Sequence, residues 1–134
     1  LARAEGHPAV IRPEWIGREE MAWADVHLVT LKAGWEHVCV PSKAVSAVCS
    51  GSTLLYHGRP EADTHALLRD ALWHIGQSED KAILRGKLST FLQELDVRAI
   101  EARRRAAARI SERLQEETAA SIEALGQWLA RQTG

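Results

Sequence analysis

The chain has 134 residues, 46% of them hydrophobic, and balances 17 Lys and Arg against 18 Asp and Glu for a net charge of -1. That is the length of one domain with enough apolar side chains for a core, and the near-neutral balance excludes a global electrostatic pull toward nucleic acid or a membrane. No apolar run approaches the ~18 residues of a transmembrane helix, and Cys39 and Cys49 are too few for a disulfide framework.

The N-terminus lacks the charged-then-apolar pattern of a secretory signal, so a cytoplasmic protein in a reducing setting is expected. The fold class expected is α+β: a small N-terminal head with a β-hairpin or three-stranded sheet and short helices, followed by a long C-terminal helix or helical pair. The parts divide as an irregular arm over 1–13, a head over 14–77 and a helical arm over 78–134.

In the arm, Gly6-His7-Pro8 and Arg12-Pro13 prevent a regular element. Glu14 to about Trp23 reads as a short helix with Pro13 at its first turn and Trp15, Ile16 and Trp23 on its apolar side. Asp25 to Val40 reads as a β-hairpin, because Val26–Leu31 and Val38–Val40 are rich in β-branched residues. Lys32-Ala33-Gly34-Trp35 would be its turn. Ser42 is expected to cap a helix from Lys43 to about Cys49 that buries Val45 and Val48. Thr53–His57 is a third strand. Glu61 to Ile75 reads as a helix, since Leu67, Leu68, Ala71, Leu72 and Ile75 fall at helical spacing and Gly76 suits its C-terminal cap.

From Ser78 to about Gln132 there is no proline, and Gly86 and Gly126 are the only glycines. Ser78 is the expected N-cap, with Glu79 and Asp80 at the positive dipole end. Leu84, Leu88, Phe91, Leu95, Ala99, Ala102, Ala106, Ile110, Leu114, Thr118, Ile122, Leu125 and Leu129 recur at steps of three or four, which keeps them on one side of a helix. The mean step exceeds 3.6, which fits a bundle, a bend or an eleven-residue pattern better than a long regular coiled coil. The stripe thins to alanine and arginine between Ala102 and Ala108. An unbroken helix of fifty residues would span roughly 75 Å, against a radius of gyration of about 14 Å for a domain of this size. Either it projects and finds a partner, or the chain folds back near the alanine run. Self-association through Leu88, Phe91, Leu95, Ile110, Leu114, Ile122, Leu125 and Leu129 is therefore the leading expectation. The tryptophan-rich head would meet an unidentified protein partner.

Residues 97–113 hold Arg98, Arg103, Arg104, Arg105, Arg109 and Arg113 against Glu101 and Glu112. Arg98, Arg105 and Arg109 fall within about 40° on a helical wheel, with Arg113 close by. This ridge suits phosphates, which makes nucleic-acid contact the alternative reading. The competing reading is a solvated face with Glu94 paired to Arg98 and Glu101 to Arg105. Five tryptophans stand against one Phe and one Tyr, yet none is interleaved with the arginines, so stacking on single-stranded bases is not supported.

No catalytic residue, metal or cofactor is assigned. His37, Cys39, Cys49 and His57 lack the paired spacing of a zinc site, and the cysteines read as small buried hydrophobes. There is no phosphate-binding glycine loop, nucleophile elbow or H-E-x-x-H. Glu19-Glu20 and Glu116-Glu117 read as solvated helix faces. The function expected is a non-enzymatic interaction or assembly protein.

Overall fold

A computed structural model describes residues 23–133. The expected arm over 1–13 and the helix from Glu14 lie outside these residues, apart from Trp23. The described chain forms strands β1 (Val26–Thr30), β2 (Thr53–His57) and β3 (Leu72–His74) and helices α1 (Ser42–Cys49), α2 (Asp63–Leu68), α3 (Lys81–Glu94) and α4 (Val97–Thr133). A single 3-10 turn, Arg69–Ala71, joins α2 to β3. The mixed α and β class holds: a three-stranded sheet with short helices, followed by a long C-terminal helix.

The sheet is parallel throughout, in the order β1-β2-β3. Val26 sits beside Thr53 and Thr30 beside His57, and Leu31 N–H continues the ladder to the His57 carbonyl at 2.9 Å. This corrects the expected hairpin. Val38–Val40 is not a strand, and the chain from Lys32 turns twice, with Trp35 N–H on the Lys32 carbonyl and Val38 N–H on that of Trp35. The reason is burial. Thr53–Tyr56 is buried on both faces, as a central strand must be, and β1 gains more beside it than beside a short segment bounded by Glu36, His37 and Pro41. Parallel pairing needs a crossover of a dozen or so residues, and α1 lies within it.

The helix expected over Glu61–Ile75 is also corrected. It lasts only from Asp63 to Leu68 before the 3-10 turn, and the backbone is extended by Leu72. Ile75 N–H then bonds to the Tyr56 carbonyl at 3.0 Å. Leu72, Trp73, His74 and Ile75 fit a helix by spacing, but the unfilled edge of β2 takes them as a strand, and tertiary pairing overrides local propensity. Gly76, with φ of 69°, ends the strand rather than capping a helix.

In α1 the capping residue is Pro41 rather than Ser42, and its carbonyl receives Ala44 N–H at 2.9 Å. Val48 is buried with Ala44 and Ala47, while Val45 is only half-buried. At α3 the cap is Asp80, whose Oδ1 accepts Ala82 N–H at 2.7 Å and Ile83 N–H at 3.3 Å; Ser78, expected to be the cap, stands two residues back and accepts Asp80 N–H through its hydroxyl.

The long helical region is two helices. Leu95 is extended, and Asp96 opens α4 by accepting Ala99 N–H on its Oδ1 at 2.7 Å. The break is therefore at Leu95-Asp96, not in the alanine run. Ala106 and Ala107 are buried against the head, where small side chains let α4 come close to Ala44, Ala47 and Val48. One core joins α1, α2, α4 and β2 around Leu54, Tyr56, Leu68 and Ile110. A second joins Leu55, Ile75 and Phe91, with Trp73, Leu84, Leu88 and Leu95 half-buried around them. Arg103 Nε donates to the Leu72 carbonyl at 3.2 Å, and Arg104 pairs with Asp25 at 2.7 Å. Neighbouring residues of α4 thus pin it to the starts of β3 and β1.

Candidate functional site

The first candidate surface follows from how far α4 runs. At about 1.5 Å per residue its 37 residues span roughly 55 Å. The sheet and α1 occupy the helix only as far as Ile110, which is buried, and Leu114, which is half-buried. Every residue from Gln115 to Gln132 is exposed. Ile122, Leu125 and Trp128 are 66%, 57% and 56% exposed, and Leu129 is 49% exposed. Counted at 100° per residue, this apolar strip continues the face that packs on the head at Ala107 and Leu114. Between the flank of α1 and α4, Val45, Cys49, Leu114, Thr118 and Ile122 line a shallow apolar groove that leads onto the strip.

The expected interface residues therefore divide. Phe91 and Ile110 belong to the two cores of the chain itself, with Leu88, Leu95 and Leu114 half-buried at their margins. Ile122, Leu125 and Leu129 face outward, joined by Trp128, which the stripe reading did not include. Of the head's tryptophans, Trp23 is 80% and Trp35 50% exposed, whereas Trp73 packs half-buried against the second core.

The expected ridge of Arg98, Arg105 and Arg109 lies on the side of α4 turned away from the sheet, and all three are exposed. The intrahelical pairs expected for it do not form. Glu94 and Arg98 are separated by the break at Leu95-Asp96, and no ion pair joins Glu101 to Arg105. Arg113 does pair, with Glu117 at 3.8 Å.

A third surface was not legible in the sequence. Between β3 and α3 lies a cleft of about 790 Å³. Leu72, Trp73, Ile75 and Phe91 give it an apolar wall, and Arg69, Lys87, Arg103 and Glu94 give it charge. The Arg103 guanidinium stacks on the Trp73 ring at 4.0 Å, and Phe91 meets the same ring edge-on at 5.4 Å between centroids. At one end the rings of His65 and His74 are 4.8 Å apart, and Tyr56 packs on His74 at 5.5 Å. His74 Nε2 donates to the Gly58 carbonyl at 2.8 Å. Burial, then the neighbouring charges of His74 and Arg69, hold His65 below the usual imidazole range. Burial, then the Glu36 charge, raises the Tyr56 phenol. Gly58 carries no Cβ because the Tyr56 phenol occupies that space. The sequence hid this cleft because it forms only once Trp73 is in a strand, and Leu72-Trp73-His74-Ile75 has no apolar-polar alternation to mark one.

The remaining candidates are dispersed. His37 Nδ1 is 2.9 Å from Asp63, and Ser78 N–H donates to His57 Nε2 at 3.1 Å. Cys39 and Cys49 are exposed, not the buried hydrophobes expected. Among the described residues no three His, Cys, Asp or Glu side chains gather as metal ligands, and no helix is long and apolar enough to cross a membrane. Comparison with protein-family models, curated proteins and solved structures gives no match.

Proposed function

We propose that the chain is a non-enzymatic interaction protein that self-associates through the second half of α4. The observation that supports this is the exposed strip of Ile122, Leu125 and Trp128 on a helix that has already passed the head. Most helical stability in proteins comes from packing of an amphipathic face, and contiguous exposed apolar surface marks an interaction site. A second copy is the natural partner, because an antiparallel, two-fold arrangement would bring Trp128 of each chain toward the groove between α1 and α4 of the other. The same arrangement would set Arg131 of one chain toward Glu112 and Glu116 of the other, whereas a parallel pair would set Arg131 against Arg131. Light scattering on the full chain should give a dimer at micromolar concentration, and Ile122→Glu combined with Leu125→Glu should give a monomer with unchanged helix content. A parent chain that remains an elongated monomer at roughly 100 μM would refute this reading.

One observation favours a second reading. Arg98, Arg105 and Arg109 share one exposed face, and no ion pair engages them among the described residues. Such a face suits duplex DNA. Replacing the three with Gln should then weaken binding and reduce the salt slope by about 0.9 for each phosphate contact removed. Binding that is undetectable in the parent at physiological salt would leave the arginines as a solvated face.

A further inference from the structure

The helix α1 divides its faces between the core and open solvent. Ala44, Ala47 and Val48 are buried, while Val45 is half-buried and Cys49 exposed. Val45 and Cys49 are four residues apart, so they stand one above the other on one flank of the helix. Facing them on α4 is a second row at steps of four, Leu114, Thr118 and Ile122. The groove between the two rows holds about 400 Å³, and none of its lining side chains is charged. Thr118 and Ala119 put small side chains at the middle of its α4 wall. A charged occupant would lose its hydration there without a partner, whereas an apolar knob would not.

Trp128 is the largest exposed apolar side chain on α4. It stands roughly 15 Å along the helix from Thr118, so it cannot fill the groove of its own chain. A two-fold axis crossing α4 near Glu123 removes that obstacle. It sets each Trp128 level with Thr118 of the other copy and fills both grooves in one closed contact. The charge pattern permits this. Glu123 is the only charged residue from Thr118 to Ala130, and it lies about 160° around the helix from Leu125, away from the strip. Its Oε1 accepts from Gln127 Nε2 at 3.2 Å. We propose that the outer flank of α1 is the second half of the self-association interface, and that its groove seats Trp128 of a second copy. This rests on self-association through α4 and adds a contact with the head. Two helices meeting only along their strips could slide by a turn, whereas an indole held between α1 and α4 fixes the direction and register of the pair.

The test combines light scattering on variants of the full chain with alkylation of Cys49 in the parent. Cys49→Arg, at an exposed position, should weaken the dimer by at least about tenfold, and Lys43→Gln on the same helix should leave it unchanged. Excess iodoacetamide should modify Cys49 at least about tenfold more slowly at roughly 100 μM chain than at roughly 1 μM. Cys39, exposed elsewhere in the head, should react alike at both concentrations, and Trp128→Ala should remove the protection of Cys49. The alkylation is read on the parent chain, so it decides the matter even if Cys49→Arg folds poorly. A parent dimer that Cys49→Arg leaves intact, or a Cys49 that reacts equally fast at both concentrations, would overturn the role of α1 and leave self-association through α4 alone standing. A parent chain that is monomeric at roughly 100 μM would refute self-association and this seat with it.

Discussion

The two halves of α4 carry the same kind of stripe and meet opposite fates. Between Val97 and Leu114 the stripe is Ala106, Ala107 and Ile110, all buried. Between Gln115 and Gln132 it is Ile122, Leu125 and Trp128, all more than half exposed. The most deeply buried member of the inner stripe is an alanine, Ala107. The alanines are inside because their smallness lets two helices and a sheet approach, and interhelix distance depends on the side chains at the contact. The larger residues are outside because the helix has run past everything it could pack on. A thin stripe can mark the tightest contact in a molecule, and a rich one can mark a surface still lacking a partner.

The largest effect that sharpens this contrast is a matched pair of truncations. Ile110→Ala should cost about 2–5 kcal/mol as a large-to-small change in a core. Leu125→Ala, measured where the chain is monomeric, should cost less than about 0.5 kcal/mol, as a surface change does. Urea denaturation gives both, and equal losses would erase the distinction between the halves.

Enlarging the small side of the contrast comes next. Ala107 is fully buried between α4 and the head, so Ala107→Leu should destabilise by about 1–3 kcal/mol through overpacking. A neutral or stabilising result would show that α4 does not pack closely there.

The smallest effect belongs to the head alone. Burial, then His74 and Arg69, place the His65 pKa below its ordinary 6.5. The folded chain then takes up this proton at lower pH than the unfolded chain does. Its contribution to stability is intact above about 6.5 and declines as pH falls below that value. Thermal melts at about pH 7.5 and 5.5 should show a fall in Tm that shrinks in His65→Gln. An unchanged pH dependence in that variant would contradict the environment described for this ring.

What the sequence made legible follows the range of the interactions involved. Thr53–His57 and the helix ending at Cys49 were readable because β-branched runs and glycine stops act locally. The existence of a long helical region was readable for the same reason. The pairing of β1 was not, since a run such as Val26–Leu31 carries no sign of whether its neighbour is the next segment or one reached by a crossover. Leu72–Ile75 shows no alternation over its four residues, and only the free edge of β2 makes it a strand. The break at Leu95-Asp96 was hidden because an aspartate serves equally as a helix-surface residue and as a cap. Among the site residues, Ile122, Leu125 and Leu129 lay where a helical wheel puts them. Phe91 and Ile110 went to the cores because α3 and α4 fold back over the sheet, which no periodicity within either helix reveals.

The central claim, that the second half of α4 is an interface, is tested most directly by hydrogen exchange at two protein concentrations. At roughly 1 μM, amides from Gln115 to Gln132 should exchange far faster than those from Ala102 to Leu114, and at roughly 100 μM the slower rates should extend to the outer half while the inner half is unchanged. Exchange in 115–132 that is the same at both concentrations, whether fast or slow, would contradict the account.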